Sequence, residues 1–261
     1  MSTLPIYQVD AFTDKVFQGN PAAVVPLYSW LDDRTLLNIA AENNLSETAF
    51  FILGADKIEL RWFTPAAEVD LCGHATMAAA HVLFEELNFP ESNLIFTTKS
   101  GELSVAKTDA GYAMDFPATQ PVPCEDNRTL ISGLNQEVVA MSAGYDYLIE
   151  LKDEESVRGC QPNLSLWKQL DKRGVIITAK GNDYDIVSRC FYPKLLVDED
   201  PVTGSAHCQI APYWASKLNR SKLTAFQASH RGGVVECSVR NDRVNLIGNA
   251  ITYLKGEILI S

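Results

Sequence analysis

The sequence predicts an α+β protein of two pseudo-symmetric halves, each with mostly antiparallel strands around one central helix. Three observations support this prediction: a pattern of segments that occurs twice, two helices that are apolar on nearly all sides, and many short alternating strands. We expect the N-terminal half at 1–118 and the C-terminal half at 119–250, with the terminal strand 251–261 able to pack on the N-terminal half.

The internal repeat is the first of these observations. Phe63–Pro65 precedes Cys72–Ala75, which opens an apolar helix, and Phe191–Pro193 precedes Thr203–Ala206, which opens another. A strand, a glycine and a strand–turn–strand follow each helix. A chance resemblance of two short segments is the alternative. The repeat places the crossover between the halves near the proline-rich stretch 117–125.

Strands are predicted where β-branched residues or alternating apolar residues form short segments. In the first half these are Ile6–Ala11, Ala22–Pro26, Glu47–Leu53, Lys57–Phe63, Asn93–Thr98, Leu103–Lys107 and Tyr112–Phe116. In the second half they are Glu137–Ser142, Asp146–Leu151, Gly174–Lys180, Asp185–Tyr192, Leu223–Ala228, Val234–Val239, Arg243–Leu246 and a last strand near Thr252–Ile260.

Helices are predicted at Asp32–Asn43, Gly73–Leu87, Asn163–Leu170 and Thr203–Leu218. The first begins with two aspartates, which suit the positive end of a helix dipole. The second and fourth carry few polar positions, and a helix that is apolar nearly all round requires burial on all sides. We therefore expect each of these two helices at the centre of its half.

The charge balance excludes some classes of partner. The chain has 22 basic and 33 acidic residues, a formal net charge of −11, and no Lys/Arg-rich block. Nucleic acid and anionic membranes would be repelled, so we expect neither as a partner. No signal-peptide pattern or bilayer-length apolar run is present, so we expect a soluble, cytoplasmic protein with its six cysteines as free thiols.

The starts of the two apolar helices are the predicted ligand site. Gly73 and Gly204 stand at these starts, where unpaired N–H groups and the positive end of the dipole attract anions. If the two starts converge in an interdomain cleft, they form a carboxylate site without any arginine. Ordinary glycine and serine at helix starts are the alternative.

Three side chains near these helix starts suit proton transfer. Glu47 precedes an apolar segment, and desolvation there would raise the pKa of its carboxyl toward the range of a general acid/base. His74 follows Gly73, and Asp200 lies just upstream of Gly204. The alternatives are a surface glutamate, a buried structural histidine and a helix-start aspartate.

Other chemistries lack their motifs. The sequence contains no G-x-G-x-x-G after a strand, no phosphate-binding P-loop, no H-E-x-x-H and no G-x-S-x-G. The four histidines show no H-E-x-x-H-type pairing with a carboxylate, so we expect no metal site.

Five segments carry a resemblance to a known family. They are Asp10–Val24, Asn44–Phe50, Leu71–Thr76, Glu199–His207 and Gln227–Gly233, in this order across essentially the whole chain. With them the chain strongly resembles the phenazine-biosynthesis isomerase-like (PhzF-like) family, in particular its branch of animal phenazine-biosynthesis-like-domain proteins.

The resemblance implies the diaminopimelate-epimerase fold with the site in the cleft, a homodimer, and neither cofactor nor metal. By likeness, Glu47 matches the family's catalytic glutamate, and His74, Asp200 and Ser205 match its polar catalytic partners. The remaining matches are substrate-binding positions: Gly73, Gly204 and, in the Gly-Asn-Pro motif, Asn20.

We therefore expect a cofactor-independent isomerase that moves a proton within a small carboxylate-bearing metabolite. Related epimerases use a cysteine before each helix-start glycine, whereas here the two positions hold Cys72 and Thr203. An epimerase that uses Cys72 with a non-thiol partner is one alternative. A ligand-binding or interaction protein without turnover is the other.

Overall fold

The computed structural model describes residues 2–54, 57–125 and 127–260. Contacts divide the chain into an N-terminal unit, residues 1–115 and 247–261, and a C-terminal unit, residues 116–246. None of the helices among the described residues combines the length and apolar character that a membrane span requires. The prediction of free thiols is confirmed, because none of the six cysteines, all of which lie in the described ranges, forms a disulfide bond.

Strands outnumber helices along the chain. The strands are β1 Ser2–Ala11, β2 Asn20–Leu27, β3 Glu47–Leu53, β4 Ile58–Phe63, β5 Glu68–Val69, β6 Asn93–Thr98, β7 Gly101–Thr108, β8 Gly111–Pro117, β9 Val122–Pro123, β10 Val138–Ala143, β11 Tyr147–Leu151, β12 Val175–Lys180, β13 Ile186–Tyr192, β14 Val197–Asp200, β15 Lys222–Gln227, β16 Gly233–Arg240, β17 Arg243–Gly248 and β18 Ala250–Ile260. The α-helices are α1 Asp33–Asn43, α2 Gly73–His81, α3 Arg128–Ser132, α4 Glu154–Arg158, α5 Leu164–Trp167 and α6 Gly204–Leu218.

The N-terminal unit is a mixed sheet around α2. From β1 through β7 the pairings β1–β2, β3–β4 and β6–β7 are antiparallel, and β2–β3 and β4–β6 are parallel. β18 pairs antiparallel with β1 along nearly its whole length. Helix α2 contacts β1, β2, β3 and β18, and every residue from His74 to His81 is buried. The apolar sequence of α2 is therefore enclosed as predicted.

The C-terminal unit repeats this order of pairings. The pairs β10–β11, β12–β13 and β15–β16 are antiparallel, and β11–β12 and β13–β15 are parallel. Helix α6 is the second apolar helix of the repeat, and it contacts β15 and β16. The same alternation of pairings in both units agrees with the repeat in the sequence, and the predicted α+β class is confirmed.

The helix boundaries differ from the predictions in particular places. α1 begins one residue later than predicted because the Asp32 carboxylate caps it, accepting from the Thr35 N–H at 3.0 Å. α2 ends at His81, and Val82–Glu86 continues it as a π-helical turn. The helix predicted at Asn163–Leu170 shortens to α5.

Some short elements lie outside the segments that the sequence predicts. They are the five-residue helices α3 and α4 and the short strands β5, β9 and β14. Each is too short to show a hydrophobic period.

Candidate functional site

Glu47 and His74 lie side by side in the N-terminal unit. Glu47 is the first residue of β3 and pairs in register with Ala22 of the parallel strand β2. His74 is the second residue of α2. Glu47 Oε2 lies 3.2 Å from His74 Nε2, with side chains 18% and 7% exposed. Neither atom has a hydrogen-bond partner within the described residues, so the pair is a buried, polar and otherwise unsatisfied contact.

Asn20 connects this pair to Ser46. Asn20 begins β2 and is fully buried. Its Nδ2 lies 3.3 Å from His74 Nδ1, and its Oδ1 accepts from the Ser46 hydroxyl at 3.2 Å. The side chain of Asn20 therefore holds the imidazole from the nitrogen opposite Glu47. Its predicted contact with a substrate stays a prediction.

Cys72 stands directly before α2. Its side chain makes no capping hydrogen bond, and its Sγ lies 3.5 Å from His74 Nδ1. Its carbonyl accepts from the backbone N–H and the hydroxyl of Thr76, at 3.1 and 2.6 Å. Gly73, the first residue of the helix, therefore begins a first turn that no side chain at Cys72 caps.

The pKa values of Cys72 and His74 depend on burial and on the Glu47 charge. Burial raises the pKa of the Cys72 thiol, and the Glu47 charge adds to this, so Cys72 is a thiol at neutral pH. Burial lowers the pKa of His74, but the contacts of the ring with Cys72 and Glu47 outweigh this effect and raise the pKa well above its usual value. Since Cys72 is a thiol, Glu47 is the neighbour that supplies negative charge to His74.

The same three side chains have the chemistry of a metal site. Glu47, Cys72 and His74 each offer one ligand atom, and these atoms lie within 4.8 Å of one another. Carboxylate, thiolate and imidazole are the ligands that Zn²⁺ takes in proteins. The carboxylate of this group is not one of those close to His74 in the sequence, because the fold supplies Glu47 from 27 residues upstream. The predicted absence of a metal stays a prediction.

Asp200 and Thr203 form the start of α6 in the C-terminal unit. Asp200 Oδ2 accepts from the Thr203 hydroxyl at 2.5 Å. Gln227 holds the same turn, since its Oε1 accepts from the Thr203 N–H at 2.9 Å and its Nε2 donates to the Asp200 carbonyl at 2.7 Å. This turn positions Gly204 and Ser205 as the first two residues of α6.

An arginine lies at this helix start. Arg173 Nη2 donates to Ser205 Oγ at 3.0 Å, and the guanidinium also binds the buried carboxylate of Asp146. The prediction of a site without any arginine is therefore wrong for the α6 start. Arg173 and Asp146 lie 32 and 59 residues before Ser205, and nothing in the surrounding sequence singles them out.

The structure thus brings the predicted residues together in two groups. Glu47, His74, Asn20 and Gly73 meet in the N-terminal unit, with Ser46 and Cys72 beside them. Asp200, Gly204 and Ser205 meet in the C-terminal unit, with Arg173 beside them. The predicted interdomain cleft stays a prediction.

The family model described as phenazine biosynthesis-like protein matches residues 9–256. An "Uncharacterized isomerase" of Halalkalibacterium halodurans is 47% identical, with 100% of both chains covered. The mouse "Phenazine biosynthesis-like domain-containing protein 2" is 39% identical over 98% of this chain and 99% of its own. These similarities confirm the resemblance found in the sequence.

Solved structures agree with this assignment. A PhzF-family protein of Enterococcus faecalis superimposes with a TM-score of 0.97 at 46% identity, covering 99% of this chain and 100% of its own. A hydroxyproline epimerase of Agrobacterium vitis matches at 9% identity with a TM-score of 0.65, covering 98% and 92%, which shows a shared fold alone. The predicted epimerase-like fold class is therefore confirmed.

Proposed function

The chain belongs to the phenazine biosynthesis-like family of isomerases, and on that basis we propose that it moves a proton within a small carboxylate-bearing metabolite, without a cofactor. Glu47 is the general acid/base. The observation that carries the proposal is the contact of 3.2 Å between Glu47 Oε2 and His74 Nε2. Both atoms are buried, and apart from this contact neither has a polar partner in the described part of the chain.

Glu47 carries out both proton transfers. Its carboxylate takes a proton from an acidic C–H bond, and the electron pair of that bond moves into the π system of the substrate. The resulting carboxyl group returns the proton to another carbon, so the product is an isomer and no co-reactant is needed. A positioned acid/base of this kind contributes roughly 10²–10⁴-fold.

His74 and the helix starts support this transfer. The ring of His74, held by Asn20 on one nitrogen, orients the Glu47 carboxylate through the other. The N–H groups at Gly73 and Gly204 bind anionic oxygen. Asp200 and Ser205 orient polar substituents and stabilise charge that develops in the transition state.

Deuterium incorporation from solvent tests the proposal. We expect the protein in D₂O to introduce deuterium at carbon into a member of a panel of unsaturated and cyclic carboxylic acids, read by mass spectrometry and proton NMR. The expected product is an isomer, or recovered substrate, with carbon-bound deuterium. A protein that binds such an acid but leaves its C–H bonds unlabelled and its double bonds in place is a binder, and the proposal is then wrong.

An epimerase that uses Cys72 is the second candidate, because the thiol lies 3.5 Å from His74 Nδ1. Replacing Cys72 with Ser separates the two. We expect the C72S variant to keep most of its activity, because burial raises the pKa of the thiol and makes it a poor base at neutral pH. A loss of roughly 10²–10⁴-fold in turnover would instead assign the base to Cys72.

The expected homodimer, the cytoplasmic location and the absence of nucleic-acid and membrane partners remain predictions. Sedimentation of the purified chain checks the first of them, with a dimer mass as the expected result.

A further inference from the structure

The guanidinium of Arg173 is held rigidly by a buried carboxylate. Asp146 is fully buried, and its two oxygens accept from Arg173 Nε at 3.0 Å and Nη2 at 2.6 Å. Two parallel N–H···O bonds of this type fix both the position and the plane of an arginine. The Arg173 guanidinium also lies over the Tyr192 ring at 5.1 Å, and the Tyr192 hydroxyl donates to Asp146 at 3.4 Å. The charged group is therefore preorganised.

This ion pair does not use all the donors of Arg173. A guanidinium has five N–H groups. Nε–H and one Nη2–H go to Asp146, and the second Nη2–H goes to Ser205 Oγ. Within the described chain, Nη1 has no hydrogen-bond or ion-pair partner, and the side chain is 38% exposed. Two donors on a positive group thus remain available to a ligand.

Ser205 adds a further donor. Its oxygen accepts from Arg173 Nη2, so its own hydroxyl hydrogen is left for another acceptor. The backbone N–H groups and the dipole of α6, a helix of 15 residues, act in the same direction. Asp200 brings a negative charge to the same helix start, and its carboxylate accepts from the Thr203 hydroxyl.

We propose that Arg173 is the specificity-determining residue that binds the carboxylate group of the substrate, together with the Ser205 hydroxyl. This inference rests on the proposed function, because that function makes the bound acid a substrate. The binding of a carboxylate itself does not require turnover. Arg173 is planar and always charged, and its two free N–H groups suit an oxygen pair such as a carboxylate. A neutral carboxamide of the same shape cannot replace that anion.

Arg189 is a matched control in the same unit. It binds Glu199 through Nε at 2.7 Å and through Nη2 at 2.9 Å, as Arg173 binds Asp146. Its third nitrogen, Nη1, is occupied, since it donates to the Cys160 carbonyl at 2.7 Å. Arg189 is therefore a purely structural arginine.

The experiment compares matched acids and amides in the full-length protein. The probes are acetate, propanoate, benzoate and succinate, each against its amide, titrated by NMR and followed at the backbone N–H groups of Gly204 and Ser205, which every variant retains. We expect at least one acid to bind roughly 10- to 100-fold more tightly than its amide, as for a hydrogen bond to a charged group. A wild-type protein without any preference for acids overturns the proposal.

Variants separate binding from folding. R173M alone leaves the buried Asp146 carboxylate without its charged partner and is expected to unfold readily, so the R173M/D146N double variant removes both charges. This variant is expected to lose the preference for acids, R173K to keep part of it, and the R189M/E199Q control to keep it in full. A double variant that folds and retains the full preference makes Arg173 merely structural and overturns the proposal.

The outcomes also distinguish this inference from the proposed function. Binding is measured in the E47Q variant as well as in the wild type, because Glu47 is not part of the Arg173 group. An acid preference that depends on Arg173, without deuterium incorporation or a shift of double bonds by the wild type, supports the carboxylate site and refutes the isomerase chemistry. Deuterium incorporation without an acid preference that depends on Arg173 supports the isomerase chemistry and refutes the carboxylate site.

Discussion

Replacing Glu47 with Gln is expected to reduce turnover by at least roughly 10²–10⁴-fold while ligand binding is retained. The amide has nearly the shape of the carboxyl group, but it cannot take a proton from carbon at neutral pH. Glu47 begins β3, and its side chain is 18% exposed, so the substitution removes a charge without creating a cavity. The rate of deuterium incorporation in D₂O measures the effect.

The control for this variant is Glu102, an exposed glutamate on β7. The E102Q variant loses the same charge and should incorporate deuterium at the wild-type rate. If E47Q retained that rate as well, Glu47 would not be the base. If it lost ligand binding together with turnover, Glu47 would serve in binding instead.

The starts of α2 and α6 show how much of the fold and of the candidate site the sequence alone predicts. Two apolar helices, each opened by a glycine, predict both the central elements and the neighbourhood of the site, because burial on all sides leaves few other positions for such helices. His74 and Ser205 follow directly, since each lies within the first two residues of its helix. Glu47 is recognised from its family motif, and the structure brings it to His74.

The interactions that the sequence does not reveal are long-range and polar. Asp146 and Arg173 meet because β11 and β12 are parallel neighbours, which pair Tyr147 with Val175. The two charged residues stand just before the paired starts of these strands. Their contact depends on the register of two strands separated by α4 and α5, and no local pattern encodes that register.

Asn20 illustrates the same limit for a short polar side chain. The Gly-Asn-Pro motif marks a turn, and the family resemblance places Asn20 near a ligand. The structure buries it fully between Ser46 and His74. Hydrogen bonds of this kind depend on where β2, β3 and α2 meet, so the partner of a buried amide is decided by packing rather than by sequence spacing.

His207 is expected to make the protein sensitive to acid. It is fully buried on α6, and its Nδ1 donates to the Thr203 carbonyl at 2.8 Å. Thr76 occupies the equivalent position of α2 and donates to the Cys72 carbonyl in the same way. Nε2 of His207 has no hydrogen-bond partner among the described residues. Burial lowers the pKa of His207 to about 4, although the Thr203 carbonyl partly opposes the shift.

The direction in which pH changes the free energy of unfolding follows from proton binding to His207 in the folded and unfolded states. Near pH 6.5 an unfolded histidine takes up a proton, whereas folded His207 stays neutral down to about pH 4. Between these values the unfolded state binds more protons, so the free energy of unfolding falls as the pH falls. The full free energy of unfolding is present above pH 6.5. By pH 4, the uptake of a proton by His207 in the unfolded chain has lowered this free energy by about 3 kcal/mol.

Chemical denaturation of the wild type and of His207→Asn across this pH range measures the effect. Asparagine keeps an N–H near the Thr203 carbonyl but cannot be protonated, so the variant should show a shallower decrease of stability on acidification, whatever its stability at pH 8. His230→Gln, at an exposed position, should leave the wild-type dependence unchanged. Equal pH dependence in the wild type and His207→Asn would mean that His207 takes up its proton as readily in the folded chain as in the unfolded one.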